Sequence, residues 1–233
     1  LSSLTRFDEN GAFEESQINT LNGGTIETPS LDSLKGVVLR VNSGETLNLP
    51  SLTSLEAGGN DNVSIQATGN DSNIDLSSVT TLSGGTEGEE LFLEAIDGGT
   101  VNLSNVTDIT EGAASILADG TNSNIDLSSL TRFDENGAFE ESQINTLNGG
   151  TIETPSLDSL KGVVLRVNSG ETLNLPSLTS LEAGGNDNVS IQATGNDSNI
   201  DLSSVTTLSG GTEGEELFLE AIDGGTVNLS NVT

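Results

Sequence analysis

Along this chain the apolar residues keep a fixed rhythm. From Thr46 they fall at Leu47, Leu49, Leu52 and Leu55, and from Asn73 at Ile74, Leu76, Val79 and Leu82. Alternation at the first two positions is the period of a strand with one buried face, and the two three-residue steps that follow place a bend before the next face. A second alternating stretch comes later in each unit, as Val37, Leu39, Val41, then Val63, Ile65, Ala67, then Leu91, Leu93, Ala95. It ends in turn chemistry such as Asn42-Ser43-Gly44 or Asp97-Gly98-Gly99. Each unit therefore predicts a short strand, a corner, further apolar positions, a longer strand and a closing turn.

The units align on starts at Thr25, Thr46, Asn73, Thr100 and Asn124, and again at Thr151, Thr172, Asn199 and Thr226. Their spacing varies between 21 and 27 residues. Above this degenerate period lies a perfect one: Leu1–Thr107 recurs letter for letter as Leu127–Thr233, a repeat of 126 residues built from about five units. The expected organisation is one continuous solenoid over 1–233, with a first repeat at 1–126, an incomplete second copy at 127–233 and no caps. Like residues then stack on like, and each coil covers its neighbour's apolar row. A lone coil buries too few side chains to offset backbone ordering, so stability must come from contact between neighbours. The predicted fold is all-β, a parallel β-helix, with right-handedness expected from the irregular coil lengths.

Composition narrows the function. Hydrophobic residues make up 32% and aromatics 3%, which suits a thin core rather than a thick globular one. Against 36 acidic residues stand 6 basic ones, a net charge of -30 that repels nucleic acid and anionic lipid surfaces and attracts cations. No long uncharged apolar run predicts membrane insertion.

The coils TIETPSLDSL, TLNLPSLTSL, NIDLSSVTTL, TVNLSNVTDI and NIDLSSLTRF resemble the repeat regions of large bacterial surface and adhesin-type proteins built as parallel β-helices, over essentially the whole chain. That resemblance implies a fibre, stalk or adhesive coat, and an extracellular or cell-surface location. Leucine spacing in LSSLTRF and LTSLEAGGN also suits a leucine-rich repeat, although its asparagine ladder is not recognisable.

Candidate chemistry is sparse. With neither His nor Cys, the usual bases and nucleophiles are missing. Asp75, Glu94, Asp97 and Asp126 could supply a glycosidase-like carboxylate pair, and Arg6, Lys35 and Arg40 the basic group of a lyase. Their frequency among so many acids favours solvated surface and local ion pairs. No enzyme activity is expected, and no catalytic, cofactor-binding or metal residue is assigned. Calcium is the one ion considered: Gly59-Asn60-Asp61-Asn62 and Gly69-Asn70-Asp71-Ser72 partly match calcium-binding turns but lack their nonapeptide period. Acidic insertions at Asp8–Glu15 and Glu87–Glu90 follow the same corner of different coils and suggest an acidic ridge for hard cations, or a charged edge that blocks lateral aggregation.

Outward positions at the coil starts form a ladder of Thr25 and Glu27, Thr46 and Asn48, Asn73 and Asp75, Thr100 and Asn102, Asn124 and Asp126. Stacked polar side chains bonded along the rod are expected there, rather than an ice-binding array. The sequons Asn62-Val63-Ser64 and Asn105-Val106-Thr107 match glycosylation by spacing alone. The expected partners are therefore further coils, joined end to end into filaments. The rival expectation is an adhesin module that binds glycans or divalent cations.

Overall fold

The computed structural model describes residues 3–9, 16–58, 62–85, 89–135, 140–184, 188–211 and 215–232. It is a parallel β-solenoid in which three strands recur per coil: a start strand such as Thr46–Asn48, a middle strand such as Ser54–Glu56 and a long strand such as Val63–Thr68. No helix occurs among the described residues. About seven coils carry all three strands, the first beginning at Thr46 and the last at Asn199.

The long strands stack into one nine-stranded sheet running from Ser16–Thr20 to Leu217–Ile222. Every neighbour pair in it is parallel, as Leu93 lies on Ile65 below and on Ile116 above. The sheet crosses the boundary between the two 126-residue copies without interruption, Ile116 pairing Ile144 and Ile144 pairing Leu165. Start strands keep the register read from the sequence, Thr46 on Asn73, Asn73 on Thr100, Thr100 on Asn124 and Asn124 on Thr151. Middle strands pair Ser33 with Ser54 and Ser159 with Ser180 across the shortest coil.

Every inward position named from the periodicity is filled. Leu47, Leu49, Leu52, Leu55, Val63, Ile65 and Ala67 are all buried, and one continuous apolar column runs from Ile18 to Val205. Phe133, on the middle strand Arg132–Asp134, is the bulkiest fully buried side chain. The column is one side chain deep from each wall, which explains how a chain with so few aromatics closes its core.

Two sheets are interrupted. The start-strand sheet breaks between Thr151–Glu153 and Thr172–Asn174, and at the same place in the first copy residues 25–27 form no strand beneath Thr46–Asn48. Of the nine start motifs, the one at Thr25 thus departs from the expected strand. The middle-strand sheet breaks between Thr81–Ser83 and Asp108–Ile109. There the chain crosses itself in an antiparallel bridge, Gly85 N–H to Ala113 O at 2.9 Å and Ala113 N–H to Gly85 O at 2.8 Å. Glycine is required at this crossing: a Cβ on Gly112 would stand 2.0 Å from the Gly85 carbonyl oxygen, and Gly112 has φ of +73°.

Candidate functional site: the corners and the start face

The corner after each long strand takes one of two forms. In the five-residue form two successive residues have positive φ, Asp97 at 52° with Gly98 at 91°, or Asn148 at 51° with Gly149 at 94°. This is the dihedral signature of a type I′ turn, closed by Gly99 N–H to Ile96 O at 3.1 Å. In the longer form, Gly69-Asn70-Asp71-Ser72, only Gly69 and Asp71 have positive φ, and Ser72 N–H closes on Gly69 O at 3.1 Å. The buried Ser72 hydroxyl donates to Thr68 O at 2.7 Å and accepts from Gly44 N–H of the preceding coil at 2.9 Å. Ser123 and Ser198 repeat both bonds, with Gly98 and Gly170 as the donors.

Such a serine is missing wherever two five-residue corners stack. A glutamate takes its place: Glu171 accepts from Gly149 N–H at 2.6 Å, and Glu45 accepts from Gly23 N–H. The second motif considered for calcium, 69–72, is therefore a clip between coils. The first lies outside the described residues at 59–61. Among the described residues no group of three or more His, Cys, Asp or Glu side chains is arranged to hold a metal ion.

At the corner after each start strand, Asp75 accepts from Ser77 N–H at 3.1 Å, Asn102 from Ser104 at 3.1 Å, Asp126 from Ser128 at 2.9 Å and Asp201 from Ser203 at 3.0 Å. Four coils carry Pro29, Pro50, Pro155 and Pro176 where the others have that serine. Proline has no N–H to satisfy and presets φ for the turn, so in those coils the Glu or Asn two residues before it has no such bond to make. Between coils the next residue ties the corner, Ser51 donating to Pro29 O at 2.7 Å, Ser78 to Pro50 O at 2.8 Å and Asn105 to Ser77 O at 2.6 Å.

The four carboxylates weighed for acid–base chemistry are thus dispersed. Asp75 and Asp126 close turns two rungs apart with Asn102 between them. Asp97 occupies a left-handed corner position. Glu94 lies on the outer face of the long sheet, accepting from Gln66 Nε2 at 2.7 Å. Of the weighed cations, Arg6 pairs with Asp8 and Lys35 with Glu56. Arg40 sits on the outer face, in register between Asn19 and Gln66. Its copy Arg166 binds Glu141 at 2.8 Å and Gln143 at 2.6 Å.

The acidic insertions fall partly outside the described residues, at 10–15 and 86–88. Their described ends show one function: Glu9 and Glu135 accept from Ser16 and Ser142 N–H at 3.0 Å each and close the base of the insertion. Glu90 is held near Glu140 and Glu141, which come from a coil two rungs away. Burial, reinforced by those two charges and opposed by a Ser115 hydrogen bond, pushes its carboxyl up to about 7.

On the start face, Thr100 Oγ1 donates to Asn73 Oδ1 at 2.7 Å and Asn228 Nδ2 to Asp201 Oδ1 at 3.0 Å, the expected bonding along the rod. Both weighed sequons use their asparagine side chains structurally, Asn62 Oδ1 accepting from Glu90 N–H at 2.8 Å and Asn105 as described. Where the start-face sheet is broken in the first copy, a groove of about 350 Å³ opens between Thr25–Pro29 and Thr46–Pro50. The serine clips, their glutamate substitutes and the groove were not foreseen. The signal for the first two is the alternation of five- and six-residue corners along the sequence.

No protein-family model, curated protein or solved structure matches this chain.

Proposed function

We propose that the chain is a structural repeat segment of an extracellular filament, stalk or cell-surface coat, extended by coil-on-coil stacking and without catalytic activity. The observation that carries this reading is the unbroken nine-stranded parallel sheet that passes from one 126-residue copy into the next in constant register. A fold in which each coil needs only its neighbours can be lengthened indefinitely, and letter-perfect repetition makes every junction equivalent. The dispersal of the candidate carboxylates into turn-closing and ladder bonds supports a mechanical use of the side chains. A net charge of -30 spread along a narrow rod opposes lateral aggregation while leaving axial stacking available.

Electron microscopy of the native material, with and without a chelator, tests the reading. Regular filaments about one solenoid wide are expected in both conditions. Dispersed short particles in place of filaments, whatever they bind, would favour an adhesin module instead.

A further inference from the structure

We infer that the break in the start-face sheet is a binding groove for a neutral saccharide, one per 126-residue repeat. From Asn73–Asp75 to Asn124–Asp126 each start strand ladders to the coils on both sides of it, as does Asn199–Asp201. At the break, Thr46–Asn48 ladders only to Asn73–Asp75, and nothing pairs it with residues 25–27 beneath. Backbone donors and acceptors of both edges therefore face a groove rather than each other, and need partners from outside the ladder.

Thr28 is the second, independent sign. It occupies a position that is leucine in most other coils, is 3% exposed, lines the groove, and its hydroxyl has no hydrogen-bond partner. The copy behaves alike: Thr154 is 2% exposed with an unpartnered hydroxyl, beside the same break between Thr151–Glu153 and Thr172–Asn174. In both copies the change from leucine to threonine falls in the coil whose start segment fails to ladder to the next, which puts a hydroxyl at the edge of the break.

The remaining lining selects the ligand class. Ile26, Pro29 and Pro50 supply an apolar wall for the C–H face of a pyranose ring, while Glu27, Thr46 and Asn48 ring it with acceptors and donors. The volume of about 350 Å³ is at the small end of the range for ligand sites. Phosphates and acidic sugars are disfavoured by Glu27 and by the net charge of -30. Ring hydroxyls match mixed backbone edges because each is donor and acceptor at once.

The test is an NMR titration of the full chain with maltose, cellobiose and lactose, repeated on the double variant Thr28→Val, Thr154→Val. Valine keeps the side-chain shape and removes only the hydroxyl. Thr146→Val, which removes a buried unpartnered hydroxyl from the long strand instead, is the control. Expected is saturable binding of at least one sugar with a dissociation constant in the millimolar range. Shifts should centre on 25–29 and 46–50 and their copies at 151–155 and 172–176, weaken about tenfold or more in the double variant and persist in the control. Absence of saturable shifts, shifts centred elsewhere, or a double variant that binds as the parent does would overturn the proposal. So would equal shifts on adding calcium alone. Filament formation is read separately, so either result leaves the stacking proposal to its own test.

Discussion

The hydroxyl of Ser123 accepts the N–H of Gly98 from the coil below at 2.9 Å while donating to Asp119 O in its own coil at 2.6 Å. Both residues are buried, so this one hydroxyl satisfies a backbone donor that water cannot reach. The bond joins two coils at the point where their corners differ in length. Ser123→Ala is expected to lower stability by about 1–3 kcal/mol, because it strands the Gly98 N–H. Urea denaturation checks this, with a lower midpoint and an unchanged slope as the expected result.

The crossing at Gly85 and Gly112 leaves no room for a side chain. Gly112→Ala combines a positive φ with a Cβ 2.0 Å from a backbone oxygen and should cost more than about 1 kcal/mol. Gly210, whose Cβ would meet nothing within 4 Å, is the control, and Gly210→Ala should change stability by no more than about 0.5 kcal/mol. Equal effects at the two sites would remove the steric argument.

Proline and the turn-closing carboxylate are alternative answers to one N–H. Ser77→Pro places in the Asp75 coil the residue that the coil below carries as Pro50, and the N–H it removes bonds the Asp75 side chain. Thermal unfolding should show a change within about 1 kcal/mol of the parent, the lost bond offset by lower entropy of the unfolded chain. A large loss would mean that the turn needs the Asp75 bond.

Glu90 links stability to pH. Its folded-state pKa is raised from 4.5 to about 7, so the folded chain holds a proton there that the unfolded chain has released. The contribution is fully present below about 4.5 and is lost as pH rises through about 7. Glu90→Gln cannot titrate, so its stability relative to the parent should rise over that window and level off above it. Denaturation midpoints of both chains at pH 4 and pH 8 decide the matter, and a constant difference would contradict the assignment.

Much of this architecture is legible in the letters. The apolar spacing at Leu47, Leu49, Leu52 and Leu55 marks the inner wall, and Asp97-Gly98 marks a left-handed corner, because both depend on local periodicity and backbone sterics. Fold class, register and the polar ladder at Asn73 and Thr100 follow once the coils are aligned. The clip at Ser123 was hidden because its partner belongs to another coil, and nothing in Asn122-Ser123-Asn124 alone distinguishes a buried hydroxyl from an exposed one. The groove at Thr28 was hidden for a similar reason: it comes from a sheet that fails to close between two coils that each look regular.

The exact repeat separates the two levels of control. Leu93 and Leu219 have identical sequence surroundings, yet Leu93 is fully buried beneath Ala113–Asp119 whereas Leu219, on the last rung of the long sheet, is 41% exposed. Thr151–Glu153 is a strand because Asn124–Asp126 lies under it, and the same letters at 25–27 form none. By itself the sequence determined where each coil bends, which side chains point inward and which turn each corner adopts. Only the stacked structure decided whether those residues are buried and paired, because parallel ladder bonds and apolar cover are both supplied by the neighbouring coil.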